Sequence, residues 1–353
     1  MALLMIMLIW NLRIKMKSFQ FTVLLSILLQ GAICAQEEFP KVIAQEGDGI
    51  YSLLRRHGVS PTKHYNKFVS LNAEDLGEDE SLFMGRSYVL PDTLATKKVE
   101  EIDQGITYPI FGEDFKKVDA VSKRLDKTVY YLISGHGGPD PGAVEKYRGK
   151  LISEDEYAYD VTLRLARELV SHGAEVHLIV QDENDGIRDS RLLELDTDET
   201  VQSNTIPLSQ LERLKQRSKA VNDLYLKNSG KYQRLLVTHV DSRSEGTNID
   251  VFFYHHEKSK NGKKLAESIH RTFFRKYKKF QPNRLYNGTF MERSSLYMVK
   301  NTLPAMAYIE IGNIRNKKDQ RRILDPDNRQ ALAKWISEGI LLDYESSKTT
   351  ISK

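Results

Sequence analysis

The sequence predicts an α/β fold, a mostly parallel twisted sheet flanked by helices, with a small βααβ module ahead of it. Three observations carry this reading. From Lys127 to Tyr344, strand-like and helix-like patterns alternate, as they do when parallel strands are joined by crossover helices. The strand-like runs "VYYLIS", "EVHLIV", "RLLVTH", "IDVFFYH" and "AMAYIEI" are short, apolar and rich in β-branched and aromatic residues, which fits strands buried on both faces. A polar stretch over 93–127, rich in Lys, Glu and Asp and broken by "TYPIFG", reads as a linker between this half and a separate segment at 37–92.

The elements follow in chain order. "MKSFQFTVLLSILLQGAICAQ" has a basic start at Lys17, an apolar centre from Phe21 to Leu29 and small residues before Gln36. That is the pattern of a secretory signal peptide over 1–35 with cleavage near Ala35. The apolar residues before Met16 make Met16 the expected true start. Neither apolar run reaches the roughly 20 residues a membrane span needs, so no stable span is expected after cleavage. The single cysteine, Cys34, falls inside the signal, with Ile33 where a lipoprotein would carry a small residue. An exported chain without a disulfide suits a bacterial periplasm or cell envelope of the Gram-negative kind.

Over 37–92 the chain gives a strand, a Gly-Asp-Gly turn and a helix with Ile50, Leu53 and Leu54 on one side. A stop at Gly58, a second helix to Asn72 and a strand in "GRSYVLPD" ended by Pro91 follow. This order resembles the LysM module, and the resemblance implies binding to N-acetylglucosamine-containing glycans. It departs from that pattern by an acidic insert, "AEDLGEDES". A spacer domain without a ligand is the alternative.

In the second half, over 128–344, helical runs lie at 154–171, 208–226, 260–278, 293–300 and 328–341. The residues after 344 read as a tail. The formal charge of +4 is too small to argue for nucleic acid. The basic clusters "RKYKK" (Arg275–Lys279) and "NKKDQRR" (Asn316–Arg322) are broken by aromatics or acids and read as solvated helix faces.

In open α/β sheets the ligand crevice lies beyond the carboxyl ends of the strands. Three runs end there in a chemical group: His136, His239 and Glu310. Ser153-x-x-Glu156 forms a capping box, so a helix starts at Glu154, with Glu156 reaching back to the cap and Glu154 free at the helix mouth. Two histidines and one glutamate with a fourth position open make a catalytic zinc site, and a carboxylate left off the metal is a natural general base. No short zinc signature such as His-Glu-x-x-His is present, and turn histidines satisfied by their neighbours are the competing reading. Asp140 could orient His136 or simply belong to the turn before Pro141. His57, His64, His172, His177 and His270 read as structural, and one of His255 and His256 could face the crevice.

The second half resembles the zinc-dependent N-acetylmuramoyl-L-alanine amidases that cleave peptidoglycan. "GHGGPDPGA" through Ala143 matches their strand-end motif, Glu154 with "TLRLA" their helix-start glutamate, His239 their later histidine, and Pro304, Ala305, Glu310, Ile311 and Gly312 their Pro-Ala-x-x-x-Glu-Ile-Gly. "ERLKQRSKAVND", with Arg217 and Asn222, resembles their arginine-bearing helix. The resemblance implies His136, Glu154 and His239 as ligands of one zinc ion and Glu310 as the catalytic base. It also implies hydrolysis of the amide between the lactyl group of N-acetylmuramic acid and L-alanine. Asp241 stands where the family usually has Asn, and Asn313 where it usually has Phe; both are candidate substrate contacts, as is Arg217. Peptidoglycan is the implied partner and an activator protein a candidate one. Asp182–Ser209 is long enough for an occluding element or a mobile loop. A zinc peptidase acting on the stem peptide and a non-catalytic wall-binding protein are the rival functions.

Overall fold

The computed structural model describes residues 39–45, 48–77, 80–91 and 105–351, in two compact units whose boundary falls between residues 99 and 100. The expected signal segment and the Met16 start lie outside the described residues. Among those described, no helix is long and apolar enough to cross a membrane.

The first unit runs β1 (Lys41–Ile43), α1 (Ile50–Arg56), α2 (Pro61–Leu71) and β2 (Ser87–Val89). β1 and β2 pair antiparallel, Lys41 opposite Val89. Pro61 opens α2 at a position where a missing N–H costs nothing. Leu53, Leu54, Phe68 and Tyr88 close the core. Asn72 ties α2 to β2: its side chain accepts from Val89 N at 2.7 Å and donates to Val89 O at 2.9 Å and Phe68 O at 2.8 Å.

The second unit begins with the hairpin β3 (Ile106–Thr107) and β4 (Lys117–Val118). Phe111, Phe115, Val118 and Leu125 are buried in the main core, so residues 105–127 are core-forming and the linker reading fails for that part. The succeeding elements are β5 (Thr128–Ser134), the hairpin β6 (Val144–Tyr147) and β7 (Lys150–Ser153), α3 (Glu154–Ser171), β8 (Glu175–Leu178), and the small sheet β9 (Val180–Gln181), β10 (Thr200–Val201) and β11 (Asn204–Thr205). Then come α4 (Gln210–Lys227), β12 (Tyr232–Asp241), β13 (Phe252–His255), α5 (Lys260–Phe280), β14 (Thr289–Glu292), α6 (Tyr297–Asn301), β15 (Met306–Asn313), α7 (Lys317–Leu324) and α8 (Pro326–Ile351). The expected tail is therefore, as far as Ile351, the last turns of α8.

The main sheet has the order β14-β13-β15-β12-β5-β8, parallel throughout except where β13 meets β15. All seven residues of β5 are buried, and the two-residue period divides them between the faces. Tyr130 and Leu132 join Leu236, Ala307 and Ile309 under α3, α5 and α8. Val129, Tyr131 and Ile133 join Leu235, Val237 and Tyr308 under α4 and α6. Both faces being covered explains why the sequence shows continuous apolar runs instead of alternation.

Asp182–Ser209 packs against α3 and is held by buried charge. Asp160 on α3 is fully buried and accepts from Arg164 Nε at 2.7 Å, Arg329 Nε at 2.6 Å and Arg188 N at 2.8 Å. Arg329 also donates to Ser190 O and Arg188 O, both at 2.8 Å.

Candidate active site

β5 ends at Ser134, and the next turn is built for close approach. A Cβ on Gly135 would stand 2.3 Å from the His239 ring, and one on Gly142 would stand 2.6 Å from the His136 ring and 2.8 Å from Glu154 Oε2. Only glycine lets the backbone pass there. His136 itself adopts a left-handed φ of 66°, unusual for a residue with a Cβ, which turns its side chain toward the strand ends.

The ligand atoms of His136, Glu154 and His239 lie within 4.8 Å of one another. Glu154 stands between the two rings, its Oε2 3.3 Å from His136 Nε2 and its Oε1 2.8 Å from His239 Nδ1. Its oxygens also accept from Val240 N at 3.0 Å and Ala143 N at 3.1 Å. The α3 start at Glu154 is as expected, but the capping box is not formed. Ser153 makes no cap hydrogen bond, and Glu156 instead pairs with Arg188 at 2.9 Å and accepts from Asp196 N at 3.2 Å. A buried guanidinium and a loop amide offer that carboxylate more than one exposed cap amide could.

His136 is oriented from behind. Its Nδ1 lies 3.0 Å from Asp140 Oδ2, and Arg213 Nη2 donates to the same oxygen at 2.8 Å. Arg217 donates to the His136 carbonyl and so fixes the backbone of the loop. Burial would lower the His136 pKa, but hydrogen bonds to Asp140 and Glu154 outweigh it and raise the pKa to about 10. His239 is stacked on Tyr308, ring centroids 4.7 Å apart, and burial pushes its pKa down despite Glu154. Burial works against Glu154 ionisation, yet the two imidazoles hold its pKa well below the usual carboxylate range.

Glu310 is opposite His239 in the β12–β15 pair. Its Oε2 is buried with no hydrogen-bond partner, and burial, then the charges of Glu154 and Asp241, raise its pKa well above that of an ordinary glutamate. Two imidazoles, one carboxylate and an orphaned acid beside them are a donor set that fits a zinc ion with one position open to substrate. The site opens into a crevice of about 820 Å³, lined among others by Arg213, Arg217, Asp241, Arg243, Arg293 and Tyr308.

Asp241 lines this crevice and is paired with Arg243, while Asn313 does not line it. Asn313 is fully buried, donating to Thr247 O at 2.8 Å and Ser244 O at 3.0 Å, so its work is to hold a loop. Asn222 likewise links α4 to the end of α6 through Asn301 O and Leu303 N. Neither His255 nor His256 lines the crevice. His172 has its pKa lowered by burial and by Arg124 and Lys334, so it is a neutral helix end and not a dipole-matching cation. No residue of 182–209 lines the crevice. Instead Glu199, from that stretch, accepts from Gly138 N at 2.6 Å and steadies the His136 loop. Sequence reasoning missed Arg213, whose signal was its place one helical turn before Arg217. It also missed Tyr308, two residues before Glu310 on the same strand face.

A family profile described as N-acetylmuramoyl-L-alanine amidase matches residues 131–341. No curated protein matches the chain. Among solved structures, the CwlD amidase from Clostridioides difficile in complex with the GerS lipoprotein is similar at 22% identity, over 63% of this chain and 100% of that one, with a TM-score of 0.46. The catalytic domain of CwlV from Bacillus (Paenibacillus) polymyxa var. colistinus is similar at 21% identity, over 61% and 96%, with a TM-score of 0.43. The N-acetylmuramoyl-L-alanine amidase AmiC2 of Nostoc punctiforme is similar at 20% identity, over 62% and 97%, with a TM-score of 0.43.

Proposed function

The chain belongs to the N-acetylmuramoyl-L-alanine amidase family, and from that premise we propose that it is a zinc-dependent peptidoglycan hydrolase. The bond it cuts is the amide joining the lactyl group of N-acetylmuramic acid to L-alanine of the stem peptide. The observation that carries the reading is the gathering of His136, Glu154 and His239 around one point, with Glu310 Oε2 buried and unpartnered beside them.

Zinc, when bound, supplies a Lewis acid that makes water nucleophilic at neutral pH and polarises a carbonyl. His136, Glu154 and His239 would hold it, with Asp140 and Arg213 keeping the His136 ring in place. Glu310 takes a proton from the attacking water as the new bond forms at the lactyl carbonyl carbon. It returns that proton to the nitrogen of L-alanine as the C–N bond breaks, leaving a carboxylate and a free amine. Burial suits Glu310 to this task, because a carboxyl with a raised pKa holds the proton between the two transfers.

The first unit would hold the enzyme on glycan strands, and the chain would act in the periplasm or cell envelope. The test is mass spectrometry of purified peptidoglycan treated with the protein, with and without a zinc chelator. Stem peptides beginning with free L-alanine, released only without chelator, are expected. Release of peptides beginning at another residue would make the protein a peptidase. Zinc-loaded protein that binds the wall and releases nothing would sink the hydrolase reading for the protein acting without an activator.

A further inference from the structure

The outward face of α5 carries Lys260, Lys263, Lys264, Arg271, Arg275 and Lys278, all exposed. At 3.6 residues per turn they lie along one side of the helix, with Glu267 as the single acid among them. The opposite side, through Leu265, Ile269 and Phe273, is buried in the core. The "RKYKK" run thus divides: Lys276 turns in to Glu338 at 2.8 Å and Tyr277 packs in the core, while Arg275 and Lys278 face out.

Among the described residues none of these six cations has a carboxylate partner. A helix face shaped only for solubility pairs its charges at one-turn spacing. α4 does so, Lys215 with Glu212 at 2.9 Å and Lys219 with Asp223 at 2.5 Å. The α5 face also presents large apolar groups: Phe274 within the stripe is 52% exposed, and Phe280 and Leu285 beyond its end are 46% and 79% exposed. No residue of α5 lines the catalytic crevice.

We propose that the outward face of α5 docks the catalytic unit on an anionic lipid bilayer. The stripe from Lys260 to Lys278 is about 27 Å long and straight, a shape that meets an extended anionic surface better than a point anion. Cations beside exposed aromatic and aliphatic side chains match the boundary between headgroups and acyl chains. A soluble polyanion would leave the apolar members of the patch unused. A groove of about 460 Å³ between α5 and the end of α8, lined by Lys264 and Arg271, adds a recess beside the stripe for a headgroup. Docking by this face leaves the crevice free for substrate.

The test is co-sedimentation of the full chain with vesicles of phosphatidylcholine alone and of phosphatidylcholine with phosphatidylglycerol. A cation near an anionic leaflet contributes about fivefold to binding. The anionic vesicles should therefore bind at least about tenfold more tightly, and the preference should vanish in about 1 M salt, where the Debye length shrinks to about 3 Å. The double variant Arg271→Glu, Arg275→Glu should weaken binding by about 25-fold or more while leaving hydrolysis of soluble muropeptides unchanged, which shows that the fold is intact. Phe274→Ser should weaken it without changing the salt dependence. Equal binding to both vesicle types, indifference to the charge reversal, or capture by soluble polyphosphate with no vesicle binding would each overturn the proposal.

Discussion

His239 and Glu310 face each other across the parallel pair of β12 and β15, and only one of them is satisfied. The imidazole has Glu154 at 2.8 Å and Tyr308 beneath it, whereas Oε2 of Glu310 is buried with no partner. Burying a carboxyl without a hydrogen bond opposes folding, so its persistence at the sheet edge points to chemistry rather than structure.

Replacing Glu310 by Gln should therefore separate reaction from assembly. The amide fills the same space and removes the base, so kcat should fall by about 10²–10⁴-fold. Zinc content, measured by elemental analysis, should stay at the wild-type level, and thermal stability should hold or rise. Loss of the metal in this variant would show that Glu310 is a ligand and not the base.

Gly142→Ala tests the close packing around the metal-ligand candidates. The added methyl would stand 2.6 Å from the His136 ring and 2.8 Å from Glu154 Oε2, and Gly142 has φ of +67°, where a Cβ costs about 1–2 kcal/mol. Zinc affinity in a competition titration should drop by about 10–100-fold, the range seen when ligand orientation is disturbed. Gly149→Ala, in the β6–β7 turn with nothing near its Cβ and φ of +82°, is the control for backbone strain alone. Its metal affinity should match the wild type.

How much of this was legible depended on whether the signal was local. β5 was readable because a strand covered on both faces must be apolar along its length, and Gly135 to Gly138 mark where it must stop. His136, His239 and Glu310 were readable because strands put their ends on one edge. The pairing of Glu156 with Arg188 was not, since its partner comes from a loop 32 residues away and outcompetes the local cap. Phe111 and Phe115 sit in a polar stretch whose average conceals two core anchors. β14 is four residues long and half exposed at the sheet edge, too short and mixed to stand out. The cationic face of α5 was invisible as a run, because Lys276 and Tyr277 inside "RKYKK" belong to the core.

Asp160→Ala should be among the most destabilising single changes outside the site. The carboxylate is fully buried between the guanidiniums of Arg164 and Arg329. Burial opposes its ionisation, but those two charges hold its pKa at about 2. Removing it leaves two buried cations facing each other, a loss of about 3–5 kcal/mol. The folded pKa lies below the unfolded value, so this contribution is present above pH ~4 and fades as pH falls toward 2. Urea unfolding at pH 7 should show the full deficit and at pH 3 a smaller one. An equal deficit at both would assign the loss to packing instead of charge.

Glu199 should produce the opposite slope. Burial, with the charges of Asp155 and Asp196 adding, raises its pKa to about 7, although its hydrogen bond from Gly138 N works against the rise. A folded pKa above the unfolded one means the folded state holds the proton more tightly, so stability is fully present below pH ~4.5 and is lost as pH rises through 7. For this one group the loss is on the order of 2–3 kcal/mol. Glu199→Gln removes the titration while its amide oxygen can still accept from Gly138 N. The variant should be close to the wild type at pH 4.5 and more stable than it at pH 8, as read from urea midpoints. If the two proteins lose stability in parallel between those pH values, Glu199 is not the group that titrates.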